Sequence, residues 1–178
     1  MKRLLFLYFL LTQVLLAYNY DDLLFKAQAS IFPKIMLLDK KVNNKLINNK
    51  LVYTIVYDNN DYVTALDVKK YIQTAFQGHF DKYPYEINIV DFNHLNMKTE
   101  ASAVYVLESF KENIEKVAKI AQKKGVISFS YDVNNLKYGL LLSLVIEKST
   151  VIYLQKENLT DNIDFVSFLF QMVKILDL

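Results

Sequence analysis

Residues 103–130 read AVYVLESFKENIEKVAKIAQKKGVISFS, and this stretch decides the fold. The short apolar runs 103–107 and 126–130 predict two buried strands. Between them, residues 110–124 repeat an apolar side chain every three or four positions, which predicts an amphipathic helix. A strand, a helix and a second strand in this order predict two parallel strands joined by a right-handed crossover.

The ends of this helix carry their own signals. Ser109 and Glu112 have the spacing of a capping box, in which the two side chains satisfy free backbone amides at the start of a helix. Gly125 follows the last turn, where a left-handed residue commonly ends a helix. The apolar stripe expected to face the sheet consists of Phe110, Ile114, Val117, Ala118 and Ala121.

The segment before this unit shows the same alternation. Residues 51–57 and 86–90 predict strands, and residues 62–77 predict the helix between them. A first helix is predicted over residues 21–38, and Pro33 is expected to kink or split it because proline lacks a backbone amide proton. Strands that alternate with helices predict a mostly parallel sheet.

The last third of the chain changes pattern. Residues 140–146 and 150–154 are apolar runs joined by a short polar connection, which predicts an antiparallel hairpin. Residues 162–176 predict a closing helix, and the polar residues 39–50 predict a surface connection rather than a domain boundary. The predicted fold class is α/β: three layers, with a mostly parallel sheet, an antiparallel C-terminal β-hairpin and a closing helix.

The first 17 residues predict export. Met1–Arg3 is a short positive region, and the largely apolar run Leu4–Leu16 that follows ends at the small residue Ala17. This run is too short to span a bilayer comfortably, since a span takes about 20 residues. We therefore expect a signal peptide that is cleaved near Ala17 and one periplasmic domain over residues 18–178. An uncleaved anchor and a buried helix are the alternatives.

The charge balance argues against a nucleic-acid partner. The full chain has 21 Lys and Arg residues and 19 Asp and Glu residues. Removal of residues 1–17 takes away Lys2 and Arg3, which leaves 19 charges of each sign and no net charge. Arg3 is the only arginine of the chain. Arginine is the usual source of bidentate contacts to phosphates and base edges, and the mature domain has no arginine to make them.

The residue inventory leaves little room for catalysis. The chain has no cysteine, and neither His79 nor His94 has a second ligand at helical spacing, so we predict no metal site. Three scattered glycines cannot form a phosphate-binding loop. The run Asp58-Asn59-Asn60-Asp61 lacks the spacing of a calcium loop, and predicts a solvated turn with Asp61 as a helix cap.

Paired carboxylates are the remaining route to an enzyme. Glu86, Asp91 and Glu108 stand at the ends of predicted strands, and glycoside hydrolysis needs only two acids. Acids at strand ends are far more often solvated than catalytic. We therefore expect no catalytic residue, no cofactor and no enzyme activity.

Two surfaces are candidates for binding a ligand or a partner. In open parallel sheets, ligands usually lie beyond the carboxyl ends of the strands. Those ends are predicted at 58–60, 108–109 and 130–131. The second candidate is an aromatic pair beside Pro84, because aromatic residues are favoured at interfaces. The candidate residues are Asp58, Asn59, Asn60, Ser109, Ser130, Tyr83 and Tyr85.

Three stretches give the chain a family resemblance. Residues 24–38 predict a helix near a proline, residues 53–60 a first strand with a polar loop, and residues 139–176 a glycine-led strand, a turn, a second strand and an apolar helix. Together they resemble the YfiR-like periplasmic proteins over nearly all of the mature chain. Some members of that family form disulfides. This chain has no cysteine, which excludes redox sensing of that kind.

The resemblance implies a role in signalling. It implies a periplasmic repressor that binds the sensory domain of an inner-membrane diguanylate cyclase, so that release raises cyclic-di-GMP and favours biofilm formation. The implied partner is the periplasmic domain of that membrane protein. A second copy of this chain, in a homodimer, is a further candidate partner. A different class of function is a small solute-binding lobe that serves a transporter, although one domain lacks the second lobe that usually closes over a solute.

Overall fold

The computed structural model describes residues 20–176, so the predicted signal peptide lies outside the described residues. Within this range, no helix is both long and apolar enough to cross a membrane. The strands are β1 (Leu51–Tyr57), β2 (His79–Phe80), β3 (Tyr83–Asp91), β4 (Ala103–Val106), β5 (Ile127–Ser130), β6 (Leu142–Ile146), β7 (Thr150–Gln155) and β8 (Val173–Leu176). The α-helices of this range are α1 (Asp22–Met36), α2 (Tyr62–Phe76), α3 (Lys111–Lys124) and α4 (Ser167–Met172).

These strands form one mixed sheet that is mostly parallel. The strand order is β2-β3-β1-β4-β5-β6-β7-β8, and the five strands from β3 to β6 in this order run in one direction. β2 pairs antiparallel with the start of β3, and β6 and β7 form the predicted antiparallel hairpin. The predicted α/β fold class, with its C-terminal hairpin on a mostly parallel sheet, is confirmed.

The sheet is the middle of three layers. α1 and α2 cover one face, where Phe32 of α1 stacks on Phe129 of β5 with ring centroids 4.5 Å apart and Val68 of α2 is fully buried. α3 covers the other face, where Ile114 packs with Val104 in a second buried cluster. Burial of apolar surface on both faces is the main source of stability for such a domain.

One buried glutamine ties α1 to the sheet. Gln28 is fully buried, and its Nε2 donates to the carbonyl oxygens of Tyr131 and Leu144, at 2.9 Å each. Its Oε1 accepts a hydrogen bond from the Tyr105 hydroxyl at 2.5 Å. Both polar atoms of this side chain therefore have partners, as a buried polar group requires.

Of the two effects predicted for Pro33, a kink or a split of α1, the structure excludes the split. The helix is continuous from Asp22 to Met36, and Pro33 lies in its last turn. The missing amide proton therefore removes a hydrogen bond only close to the helix end. The Leu37 amide closes the helix on the Pro33 carbonyl oxygen at 3.3 Å.

The connection between α1 and β1 is more than the polar surface segment that we predicted. Asp39 is buried, and its carboxylate accepts hydrogen bonds from the amides of Lys41 at 3.0 Å and Asp164 at 2.9 Å. It also forms an ion pair with Lys45. Asp39 and Phe165 also form an isolated β-bridge. Asp39 therefore links the segment before α4 to the segment after α1.

The end of the chain differs from the predicted helix over residues 162–176. The structure has only the six-residue α4, followed by β8, which pairs parallel with β7. The bridge at Phe165 holds the chain extended just before α4. Val173 and Ile175 are β-branched, and the edge of β7 offers backbone hydrogen bonds that override the helical pattern.

Candidate binding surface at the carboxyl edge of the sheet

The loops after β1, β4 and β5 meet at one edge of the sheet. Val56 pairs with Val106, and Val106 pairs with Ser130, so the residues that follow these strands emerge side by side. β1 lies between β3 and β4, which makes this edge a point where chain connections diverge, and open α/β sheets usually bind ligands at such a point. We call residues 20–23, 58–63, 107–110 and 131–135 the carboxyl edge.

Asp58 and Ser109 come together at this edge. Ser109 Oγ donates to Asp58 Oδ2 at 2.7 Å and accepts from Asn113 Nδ2 at 2.8 Å. The predicted capping box is therefore wrong, because α3 begins after Phe110 and no side chain caps it. Phe110 is 68% exposed instead of joining the buried stripe of α3.

The other residues predicted for this edge differ in accessibility. Asn59 and Asn60 are exposed in the short turn that leads into α2. Ser130 is fully buried, and its hydroxyl donates to the Asp132 carbonyl oxygen at 2.8 Å. Ser130 therefore shapes the loop after β5 without facing the solvent.

Tyr83 and Tyr85 lie elsewhere. They belong to the start of β3, at the opposite end of the sheet, and both are half-buried rather than exposed. Tyr83 Oη donates to Asn43 Oδ1 at 2.7 Å, and Tyr85 stacks on Phe80 with ring centroids 4.0 Å apart. The structure thus separates this aromatic pair from the carboxyl edge and gives both rings packing roles.

The segment before α1 crosses the carboxyl edge, which the sequence pattern did not indicate. Tyr20 Oη donates to Asp61 Oδ2 at 2.8 Å and accepts from the Glu108 amide at 3.2 Å. The Asp21 amide donates to Tyr131 Oη at 2.8 Å. Asp61 is the N-cap residue of α2, as predicted, but it is buried and its side chain makes no capping hydrogen bond. The position of Glu108 directly after a predicted strand was the one clue to its place here.

An aromatic cluster lines one side of this edge. The rings of Tyr20, Phe25 and Tyr131 lie 4.8–5.0 Å apart, centroid to centroid. Phe25 and Tyr131 are buried, whereas Tyr20 is half-buried. The cluster supplies an apolar wall beside the carboxylates that follow β1, β4 and β5.

Acidic side chains dominate the charge of the edge. Burial, together with the nearby carboxylates of Asp132 and Asp61, raises the pKa of Glu108 to about 7. Burial also raises the pKa of Asp61 above its ordinary value. The lysines of the part that the structure describes form their ion pairs elsewhere, and none of them pairs with Asp58, Asp61, Glu108 or Asp132.

A buried amide faces these acids. Asn135 lies in the short helical turn Val133–Tyr138, and only 6% of its surface is exposed. Its side chain hydrogen-bonds the Glu108 carboxyl, which counteracts part of the rise in the pKa of that group. This bond falls short of ordinary hydrogen-bond geometry, and Nδ2 has no better partner among residues 20–176.

Large apolar side chains are exposed around the acids. Leu23, Val63 and Phe110 are 63%, 68% and 68% exposed, and Tyr62 is 49% exposed. They lie at the starts of α1, α2 and α3, the helix ends that border this edge. We call these four residues the apolar rim.

The edge has features that suit binding. Among the described residues, no group of three or more histidine, cysteine, aspartate or glutamate side chains could hold a metal ion. The edge presents negative charge and exposed apolar surface. This combination suits a partner or ligand that brings positive charge into an apolar setting.

Comparison with known proteins adds a similarity of fold. No family model matches the chain, and no curated protein matches it. Among solved structures, the chain is similar to a conserved domain protein from Vibrio cholerae O1 biovar El Tor, with 11% sequence identity and a TM-score of 0.53. The match covers 78% of this chain and 60% of that protein, so the chain spans only part of its length. At this identity the likeness shows the α/β fold alone.

Proposed function

We propose that this protein is an exported regulatory binding protein that docks its carboxyl edge on a partner protein. The observation that supports the proposal is the apolar rim, whose four large side chains are exposed at the edge that holds the unpaired acids. Exposed apolar residues that are grouped in this way commonly mark sites of protein interaction.

The chemistry of the edge defines the surface that would fit it. Glu108, Asp61 and Asp132 would face a lysine or arginine of the partner, because they have no cationic partner among residues 20–176. Apolar side chains around that cation would contact the apolar rim. Opposite charges steer such an encounter, and a few buried apolar anchors then supply most of its affinity.

The resemblance to the YfiR-like proteins suggests the class of partner. We propose the periplasmic domain of an inner-membrane protein, and a diguanylate cyclase is the first candidate. The protein would repress this enzyme by binding its inactive state more tightly than its active state. Release would then raise cyclic-di-GMP and favour biofilm formation.

Export is tested by the mass of the protein recovered from cells that express the full chain. Cleavage after Ala17 gives a chain that begins at Tyr18. Recovery of a chain that keeps residues 1–17 would contradict cleavage and favour an uncleaved anchor.

Docking is tested by capture of the tagged protein from detergent-solubilised inner membranes, read by mass spectrometry. The variants are Val63→Asp, which places a charge in the apolar rim, and Phe168→Asp as a control. Phe168 is equally apolar and 60% exposed, but lies on α4 beside the far end of the sheet. We expect the wild type and Phe168→Asp to recover one membrane-anchored cyclase, and Val63→Asp to recover about tenfold less of it.

Two results would overturn docking through the rim. The first is equal recovery of the cyclase by all three proteins, and the second is recovery of no cyclase at all. Recovery of a transporter permease in place of a cyclase would favour the second candidate function.

That second candidate is a solute-binding lobe. It is favoured by the Asn135 amide, which is buried beside Glu108 at the position where α/β sheets usually hold ligands, and whose hydrogen bond to that carboxyl falls short of ordinary geometry. A solute-binder gains thermal stability when its ligand is added, because the ligand binds only the folded state. A regulator that recognises only a protein shows no such gain.

A further inference from the structure

The long strand β3 has an open backbone edge. On its outer side it pairs only with β2, through Tyr83 and Pro84, and no other strand of the described range lies there. On its inner side it pairs with β1 over residues 85–91. An open edge of this kind presents backbone N–H and C=O groups that can pair with a further strand. Residues 86–90 are therefore a place where the sheet can be extended.

Two hydrogen bonds show which backbone groups of β3 point outward. The Tyr85 amide donates away from β1, to the carbonyl oxygen of the residue just before β2 at 3.3 Å, whereas the Phe92 amide donates to the last residue of β1 at 3.0 Å. Backbone groups of successive residues alternate in direction along a strand. Ile87 and Ile89 therefore direct their N–H and C=O groups outward, where no strand of the described range receives them.

A groove of about 640 Å³ lies between α2 and this edge. Lys69, Gln73 and Gln77 line it from successive turns of the helix, and residues 85–88 line it from the strand. Lys69 Nζ donates to the carbonyl oxygen of Ile87 at 3.3 Å, so a side chain already occupies one of the outward-pointing acceptors. Known ligand sites have volumes of about 300–1,000 Å³, so a short peptide segment fits a groove of this size.

Lys69 carries the unbalanced charge of the groove. It is half-buried, and it forms no ion pair with any carboxylate between residues 20 and 176. Glu86 also lines the groove, but its carboxylate lies 3.7 Å from the Lys50 ammonium and is balanced by it. The other lining side chains are neutral. The groove therefore complements a partner that brings negative charge.

We infer that this groove binds an extended acidic peptide segment as an added strand beside β3. The peptide backbone bonds to Ile87 and Ile89. A glutamate or aspartate side chain of the peptide pairs with the Lys69 ammonium and frees the Ile87 carbonyl oxygen for a peptide amide. Binding by strand addition draws affinity from main-chain hydrogen bonds and specificity from alternate side chains. The groove includes no residue of the carboxyl edge, so the inference does not depend on the proposed function.

The test begins with calorimetric titration of three peptides into protein purified from cells that express the full chain. The acidic peptide is Ac-TVEVTV-NH₂, its neutral match is Ac-TVQVTV-NH₂, and Ac-TVEPPV-NH₂ keeps the acid but has two adjacent prolines. One of two adjacent residues must face β3, and proline there has no amide proton to donate. We expect the acidic peptide to bind with a Kd of about 0.1–1 mM, the neutral peptide several-fold more weakly, and the proline peptide without measurable heat.

Amide hydrogen exchange measured by NMR locates the contact. The acidic peptide should slow exchange at Ile87 and Ile89, whose amides point outward. It should leave Glu86 and Asn88 unchanged, since their amides already face β1. A ligand that touches only side chains would not produce this alternation.

Two variants and a control assign the charge. Lys69→Met keeps the apolar stem of the side chain and should lower the affinity for the acidic peptide about five- to tenfold, to that of the neutral peptide. Gln73→Glu adds a negative charge at an exposed position of the groove and should also weaken the acidic peptide several-fold. Lys70→Met is the matched control, because Lys70 is the neighbouring exposed lysine of α2 and does not line the groove.

Several outcomes would overturn the inference. They are no heat from the acidic peptide at several millimolar, equal binding of the three peptides, or an affinity that Lys69→Met leaves equal or higher, as expected if this lysine only keeps other strands away. Slow exchange at Ile87 and Ile89 in the protein alone, together with a dimer in sedimentation, would also overturn it and assign the edge to a second copy. Circular dichroism checks that each variant folds, and Gln73→Glu carries the test if Lys69→Met does not.

Discussion

Two groups of buried polar side chains in this domain differ in how completely their polar atoms are hydrogen-bonded and their charges paired. In the interior, both polar atoms of Gln28 are bonded, and Asp39 has two backbone amides and the Lys45 ammonium. At the carboxyl edge, Asp61 and Glu108 lack a described cation, and the hydrogen bond from the Asn135 amide to Glu108 falls short of ordinary geometry.

Both groups carry the free-energy penalty of removing polar atoms from water, but the interior group recovers more of it, because its hydrogen bonds are complete and its charge is paired. Removal of an interior side chain should therefore destabilise the fold. Removal of charge at the edge should stabilise it. The comparison suggests that the interior group specifies the structure, whereas the edge group is kept for an interaction that the isolated domain does not satisfy.

The largest expected effect is the loss of Asp39. Asp39→Ala leaves two backbone amides and Lys45 without their acceptor, and burial already lowers the pKa of Lys45. We expect the free energy of unfolding to fall by about 3 kcal/mol, as measured by chemical denaturation. The control Asp67→Ala removes an exposed aspartate from α2 and should change it by less than about 0.5 kcal/mol. Equal effects of the two changes would remove the distinction drawn for Asp39.

Gln28→Leu should cause the next largest loss of stability. It fills the same space but leaves the Tyr105 hydroxyl and the carbonyl oxygens of Tyr131 and Leu144 without this partner. We expect a loss of about 2 kcal/mol in the free energy of unfolding. Gln73→Leu on the exposed side of α2 is the matched control and should be close to neutral. A stabilised Gln28→Leu would show that the interior network does not support the fold.

Glu108→Gln should change stability in the opposite direction, and by an amount that depends on pH. The folded-state pKa of Glu108, about 7, lies above its ordinary value of 4.5, so ionisation costs the folded state stability as pH rises between these values. Solvent screening at this half-buried group limits the gain of the variant to about 1 kcal/mol at pH 8, and the gain should vanish below pH 4.5.

The measurement is chemical denaturation of the wild type, Glu108→Gln and the control Glu157→Gln, once at pH 8 and once below pH 4.5. Glu157→Gln should match the wild type at each pH, because Glu157 is exposed. A Glu108→Gln protein that is less stable than the wild type at pH 8 would mean that the edge acids stabilise the fold.

The smallest expected effect is at Ser109. Its hydroxyl links Asp58 to Asn113 at the border of the edge, where water can replace a lost hydrogen bond. Ser109→Ala should lower the free energy of unfolding by about 0.5–1 kcal/mol, and Ser149→Ala in the exposed turn of the hairpin should change it less. A loss of several kcal/mol would place Ser109 with the interior group.

Local sequence patterns predicted much of the fold. Apolar runs and helix stops placed β1, β4, β5, the β6–β7 hairpin and α3 close to their observed positions. The errors arose where a distant segment decides the local structure. Residues 162–176 fit a helical period, yet the bridge from Asp39 to Phe165 and the edge of β7 impose α4 and β8 instead.

The candidate site was predicted by position and not by composition. Parallel strands placed Asp58, Asn59, Asn60 and Ser109 at the carboxyl edge, because the residues after such strands emerge together. Tyr20 and Asn135 could not be placed, since no local period relates them to Glu108. Phe110 was assigned to the core because its spacing fits the stripe of α3, but the helix begins one residue later and leaves it exposed.

The most direct test of the central claim is the free energy of unfolding of Glu108→Gln at pH 8, relative to the wild type. If the edge keeps its acids at the expense of stability, the variant is more stable by about 1 kcal/mol. A variant that is less stable than the wild type would contradict the claim.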